Sequence, residues 1–363
     1  MKILFVTHSL KVGGAERSLR ELVRNLDGVV CDLVVPWWSR ASDDEIRAMF
    51  GPSLRRVERA WLPYDRCYRG RPPMRRAIHR YLGAVLWRIG RRRLEERITR
   101  ERYDAIHLNS VILHPMVRKR LPFIVHVREV VDVHQGRVAR SLGAARGVIF
   151  IDRATQAPFA SLETPFVVMN NPFAMRASPM PVDAAARLHA DPADVTIFAI
   201  IGMLIPEKGV DRVIRAFRGV RHPDVRLLVV GRGHDRGRLE RLAQGDDRII
   251  FWGEDPEIER VYAMTDYVIR GEATFAVGRT MYEGLYAGSE VIVPVGPEDE
   301  VFDRERFAGR IHAYAPGDEA ALRVVMDRLA GRKINRQPPL SNVDDYVERF
   351  LSFVRETTGK RTA

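Results

Sequence analysis

Four short stretches of the sequence combine residue types that could hold a phosphorylated ligand. "THSLKVGGAERS" puts Gly13 and Gly14 just before a helical pattern, and "IIGMLIPEKGVDRV" puts Gly202 at a strand end and Lys208 at a helix start. In "VVGRGHDRGRL", Gly231 and Gly233 turn another strand end, while in "EATFAVGRTMYEG" Val277, Gly278 and Arg279 lead into a helix that carries Glu283. Glycine lets a ligand come close to the backbone, free N–H groups at a helix start attract an anion, and a nearby lysine adds charge. A diphosphate suits this chemistry. Taken singly, a paired glycine is more often only a tight turn, and Lys208 more often a solvated surface lysine. Neither a dinucleotide fingerprint nor a P-loop is present, because the later glycines and the Gly-Lys-Ser/Thr run are missing.

These residues need strands that end beside them. "ILFVT", "CDLVV", "AIHLN", "FIVHV", "GVIFI" and "FVVMN" are short apolar runs separated by helical patterns. Continuous apolar strands alternating with helices imply a parallel sheet covered on both faces. The pattern lapses over 170–194, rich in proline and alanine, and restarts with "VTIFAII", "VRLLVV", "RIIFW", "DYVI" and "EVIVP". The expected fold class is therefore α/β with two doubly wound Rossmann-like domains, 1–172 and 173–340, facing a central cleft at their strand C-termini. The tail 341–363 contains "VDDYVERFLSFVRE", a helix expected to pack back on the first domain. After Gly278 a helix is expected through Met281, Leu285 and Tyr286, ending at Ala287-Gly288 and leaving Glu283 mid-helix between two strands.

A chain of 363 residues with 46% hydrophobic content can bury two ordinary cores. "MKILFVTHSL" has too short an apolar run for a signal peptide, and no stretch is long enough to span a membrane. Cys31 and Cys67 make no disulfide framework and lack metal-ligand spacing, which points to a reducing cytoplasm. The net charge of +12 is concentrated in the first half, where 66–102 alone holds 13 arginines. Only six of the 59 cations are lysine, so a general bias toward arginine explains the charge as well as an anionic partner does. Within 74–89, Met74, Ile78, Tyr81, Leu82, Val85 and Ile89 form an apolar stripe. Such a helix lies on an anionic membrane or packs on the sheet. Nucleic acid is not the expected partner, since the basic segment has neither interleaved aromatics nor a recognisable module.

The order "GGAER", "GMLIPEKGVDRVIRAF", "LLVVGRGHDRGRLERL", "IIFWGEDPEIERVYAMTDYVI" and "GRTMYEGLYAGSEVIVP" resembles the retaining glycosyltransferases of family 4, which have the GT-B fold. The resemblance covers nearly the whole chain, most firmly 196–296. It implies that Glu283 accepts from the ribose hydroxyls of a nucleotide-sugar donor, and that the helix start at Val277, Gly278 and Arg279 faces the diphosphate. Lys208 would neutralise that diphosphate, the Gly13-Gly14 loop would close over the donor, and His126 in "FIVHVRE" would approach the donor sugar. The sequence departs from the family pattern at two places. Met203 follows Gly202 where an arginine is usual, and Phe275 replaces the first carboxylate of a Glu-x7-Glu pair, leaving Glu272 as the nearby carboxylate.

The sequence thus reads as a retaining glycosyltransferase of cell-surface polysaccharide or glycolipid biosynthesis, with a glycan or lipid-linked acceptor. The catalytic candidates are His126, Lys208, Glu272 and Glu283. No cofactor or metal is expected, since no Asp-x-Asp motif appears. The location would be cytoplasmic, peripheral on the inner face of the membrane. Because of the two departures, the alternative is a non-catalytic nucleotide-sugar-binding or scaffold protein.

Overall fold

The computed structural model describes residues 1–10, 13–65, 67, 74–273, 278–295 and 306–359, and of residues 74–84 the backbone alone. Contacts divide the chain into two units, Met1–Pro172 with Asn342–Ala363, and Phe173–Ser341.

The first unit is built on seven parallel strands, β1 (Lys2–Val6), β2 (Val30–Pro36), β3 (Leu54–Ala60), β4 (Ala105–Leu108), β5 (Phe123–Val127), β6 (Gly147–Phe150) and β7 (Phe166–Val168). Their order is β3-β2-β1-β4-β5-β6-β7, so the winding reverses between β1 and β4. Strands such as "KILFV" and "FIVHV" are apolar at nearly every position because both faces are covered, and residues 3–6 of β1 are at most 1% exposed. One face packs against helix Gly14–Arg24 through Leu19, Leu22 and Val23. The same face receives helix Val343–Thr358, which contributes Tyr346, Phe350, Phe353 and Val354 at helical spacing. Phe350 lies between Phe5, at 6.4 Å, and His107, at 5.6 Å, measured between ring centroids.

Helix Met74–Glu101 takes up the arginine-rich segment. Among its described side chains Trp87, Leu94 and Ile98 are buried, whereas Val85 and Ile89 of the expected apolar stripe are 39% and 70% exposed; the side chains of Met74, Ile78, Tyr81 and Leu82 lie outside the described ones. The sheet is therefore covered by a different face of the helix from the one that carries these two residues. Arg66 and residues 68–73 lie outside the described residues.

The second unit has six parallel strands, β8 (Thr196–Ile201), β9 (Val225–Val230), β10 (Ile249–Gly253), β11 (Tyr267–Ile269), β12 (Glu290–Val293) and β13 (Ile311–Ala313). Their order is β10-β9-β8-β11-β12-β13, with the reversal between β8 and β11. Helix Arg279–Tyr286 buries Met281, Tyr282, Leu285 and Tyr286 against Phe173 and the β11–β12 face. Each sheet thus leaves a crevice outside its strand C-termini at the reversal, where doubly wound sheets bind ligands. Both Cys31 and Cys67 are buried free thiols.

Removing the Phe350 ring leaves a cavity between Phe5 and His107. Phe350→Ala should cost the first unit about 3–5 kcal/mol, read from its denaturant-unfolding transition. A loss under about 1 kcal/mol would mean that the C-terminal helix is not part of that core.

Candidate functional site

In the second unit, three loops at the strand ends meet backbone to backbone. Gly231, just after β9, has φ +130°, and a Cβ there would sit 1.9 Å from the Gly202 carbonyl oxygen after β8. Gly209 has φ +63°, and its Cβ would lie 1.9 Å from the Gly271 oxygen after β11. Only glycine tolerates both the dihedral and the contact. Gly233 likewise faces the Leu204 oxygen. Gly202, Gly231 and Gly233, named from sequence, together with Gly209 and Gly271 let the loops after β8, β9 and β11 stand side by side.

Those loops bring cations together. Lys208 closes a short 3₁₀ turn (Pro206–Lys208), and its Nζ is 2.6 Å from Oε1 of Glu272. The other oxygen of Glu272 accepts from Arg270 Nη2 at 2.6 Å. Arg270 ends a buried strand and is only 8% exposed, and Arg212 donates to the Gly271 oxygen at 2.9 Å. Glu272 is held on both oxygens, so it is no freely solvated loop glutamate. Met203, the departure from the arginine usual in the resembled family, is 59% exposed.

Helix Arg279–Tyr286 begins at Gly278, whose backbone is pressed against Arg270, since a Cβ there would lie 2.1 Å from Nη1. Arg279 Nε donates to Glu283 Oε1 at 2.8 Å, the i,i+4 spacing that joins side chains one helical turn apart. The Tyr262 hydroxyl is 3.1 Å from Glu283 Oε2. Glu283 is 1% exposed, and the Arg279 guanidinium lies 4.7 Å from the Phe173 ring centroid. Burying this ion pair costs desolvation that its attraction only partly offsets, so stability alone does not account for it. Lys208, Arg212, Arg270 and Arg279 gather at the ends of these loops, with Glu272 and Glu283 among their partners. Phe275 and Val277 lie outside the described residues.

In the first unit, Gly13 is the extended N-cap of helix Gly14–Arg24, which starts at the β1–β4 reversal. Asn109, after β4, donates from Nδ2 to the Ala15 oxygen at 3.2 Å. Arg128, after β5, donates to Asn109 Oδ1 at 3.2 Å, to Asn171, and to Nδ1 of His126 at 3.2 Å. A guanidinium only donates, so His126 Nδ1 accepts and the ring proton sits on Nε2. His107 Nε2, also 3.2 Å away, then donates to the same Nδ1. The Nε2 of His126 is buried with no hydrogen-bond partner among the described residues. Burial, helped by the positive charge of Arg128, drives the His126 pKa well below the ordinary value, so the ring is a neutral donor. Burial also pushes the Glu129 carboxyl upward, while Ser110 donates to its Oε1 at 2.8 Å.

Sequence reasoning passed over Arg128, Glu129 and Asn109 in one unit and Arg270 and Tyr262 in the other. Arg128, Glu129 and Arg270 were open to discovery, because charged residues directly after "FIVHV" and "DYVI" interrupt otherwise apolar strands at the ligand-facing end. Asn109 and Tyr262 gave no such signal. Among the described residues, no three His, Cys, Asp or Glu side chains converge as metal ligands, and no helix is long and apolar enough to cross a membrane.

Residues 185–306 match the family described as glycosyl transferases group 1. No protein of curated function matches the sequence. Among solved structures, Anabaena Alr3699/HepE in complex with UDP and glucose superposes with a TM-score of 0.70 at 17% identity, over 99% of this chain and 100% of that one. Sucrose-phosphate synthase from Thermosynechococcus elongatus superposes at 0.66 and 17% identity, over 99% and 94%. The lipopolysaccharide outer core galactosyltransferase WaaB in its apo form gives 0.64 at 13% identity, over 99% and 98%. At these identities the likeness establishes the fold, which is GT-B.

Burial holds the His107 pKa at about 3 and that of His8 at about 4. Once unfolded, both rings protonate near about 6.5. Folding therefore has its full strength above that pH and weakens as pH falls toward the folded values, because the unfolded chain binds more protons. Each ring should contribute a slope of up to about 1.4 kcal/mol per pH unit. Unfolding of the first unit at pH 7 and 5 should show a shallower acid slope in His107→Gln, and an unchanged slope would refute this account.

Proposed function

Starting from a group 1 glycosyltransferase segment on a GT-B fold, we propose that the chain is a retaining glycosyltransferase taking a sugar from a nucleoside-diphosphate donor. The observation that carries this reading is the gathering of Lys208, Arg212, Arg270 and Arg279 at the β8–β11 reversal, beside the helix start at Gly278. A diphosphate is the anion that such cations and helix N–H groups suit. On binding, Arg279 turns from Glu283 toward the diphosphate, and the freed carboxylate accepts from the two vicinal ribose hydroxyls. Lys208 and the N–H groups at Gly278 and Arg279 stabilise the charge that grows as the bond to phosphate breaks. Arg270, pressed against Gly278, supplies the cation that Met203 does not.

The reaction forms a bond from the acceptor oxygen to the sugar C1 on the face that the phosphate oxygen leaves. The acceptor proton passes to that phosphate, so the products are the glycoside and the nucleoside diphosphate. The buried Nε2–H of His126 is a donor for a sugar hydroxyl, and Glu272 is the carboxylate available where Phe275 replaces the usual one. The acceptor is a glycan or lipid-linked glycan. The exposed Val85 and Ile89 among arginines support a peripheral seat on an anionic membrane. UDP and UDP-glucose, present in the Anabaena structures, are the first donors to try.

Calorimetric titration with UDP tests the site. Glu283→Ala should lose about 2–3 kcal/mol of binding, the worth of charge-assisted hydrogen bonds. Unchanged affinity would falsify the ribose assignment.

Charge neutralisation by Lys208, Arg270 and Arg279 makes a second statement about turnover. Donor consumption should persist in excess EDTA, and complete loss restored by Mn²⁺ or Mg²⁺ would show that a metal neutralises the diphosphate instead.

A further inference from the structure

We propose that Trp37, Trp38 and Trp61 form a stacking subsite for an uncharged sugar unit of the acceptor glycan. The proposal rests on the glycosyl-transfer reading above and deepens it. Three of the chain's five tryptophans meet at the C-terminal ends of β2 and β3. The other two, Trp87 and Trp252, are 7% and 6% exposed, whereas Trp37 and Trp38 are 47% and 49% exposed. A large apolar ring left half in water is unusual, and two adjoining a third mark a binding surface.

The patch is held rigidly. Pro36 pairs with Ala60 at the last rung of the β2–β3 ladder, and Trp37 N–H donates to the Ala60 oxygen at 2.9 Å, which brings Trp37 and Trp61 side by side. Their centroids are 4.1 Å apart at 37°, and Trp38 stands at 89° to Trp37, 6.4 Å away. A floor and a wall result. The segment after Trp38 is pinned by Ser42, which caps helix Asp43–Phe50 in a reciprocal pair with Glu45. Little ordering cost then remains for a ligand to meet.

The surroundings select the occupant. A pyranose offers a face of polarised C–H groups to the negative face of an indole, while its hydroxyls point outward. Arg59, two residues before Trp61, is ion-paired with Asp43 and donates to the Ala41 oxygen at 2.6 Å. That pair presents donors and acceptors without net charge, which complements a neutral polyol better than a phosphate headgroup. β3 lies two strand spacings, about 10 Å, from β1 at the reversal. A short oligosaccharide covers that span, so the patch would hold a sugar unit beyond the one that reacts.

The test is intrinsic tryptophan fluorescence of the full chain titrated with gluco-, galacto- and manno-oligosaccharides of increasing length. At least one series should bind saturably and tighten about tenfold or more from monosaccharide to longer members, equivalent to about 1.4 kcal/mol. Trp37→Ala should remove that gain and Trp37→Phe should keep most of it. Trp38→Ala, whose ring is half exposed and leaves the core untouched, should also weaken it, with circular dichroism checking the fold. No binding in any series, or affinity independent of length, overturns the subsite. So does a fluorescence blue shift with phosphatidylcholine–phosphatidylglycerol vesicles that Trp37→Ala abolishes while oligosaccharides give no signal, since the rings would then serve a membrane. UDP titration of the unmodified chain separately reports the donor site, so failure of one reading is distinguishable from failure of the other.

Discussion

Nothing larger than a hydrogen atom fits between the loops that follow β8, β9 and β11. Gly231 rests on the Gly202 carbonyl and Gly209 on the Gly271 carbonyl. Because those backbones touch, Lys208 reaches Glu272, and Arg270 at the end of β11 closes the other side of the same carboxylate. A side chain at any of these positions would part the loops and dissolve the charge cluster. The charge cluster of the second unit hangs on that steric constraint rather than on any single hydrogen bond.

Charge is handled differently in the two units. The second unit gathers cations at the loops after β8 and β11, with Glu272 bridging Lys208 and Arg270 and Glu283 paired with Arg279. The first unit keeps His8, His107 and His126 neutral by burying them, and uses one arginine to orient His126, Asn109 and Asn171 together. Arg128 therefore does two jobs. It fixes the tautomer of His126, and its charge helps keep that ring unprotonated. The Nε2–H that results is a buried donor left without a partner among the described residues, a cost that the first unit carries where a ligand is expected.

Much of this was legible from residue order alone. The apolar runs "ILFVT", "FIVHV" and "VRLLVV" announced parallel strands covered on both faces, because a strand buried twice has no polar side to show. Helix Arg279–Tyr286 ends where Ala287-Gly288 suggested, since glycine readily takes the left-handed backbone found at Gly288. The basic helix was harder to read. Its periodicity marked Val85 and Ile89 as one apolar stripe, yet the sheet is covered by Trp87, Leu94 and Ile98. Periodicity identifies an amphipathic face but not what that face touches.

By itself, the sequence determined where strands and helices fall, because alternation of apolar runs is a local property, and it placed Gly202, Gly231 and His126 at strand ends, Lys208 at a helix start and Glu283 within a helix. Tertiary structure decided the pairings. That Lys208 meets Glu272, that His107 meets His126, and that Trp37 stacks on Trp61 all follow from contacts between separate segments of the chain. Lys208 and Glu272 are 64 residues apart, and only the parallel order β8-β11 makes them neighbours. Side-chain partners of that kind are set by strand order and register, and neither leaves a mark in the local pattern of residues.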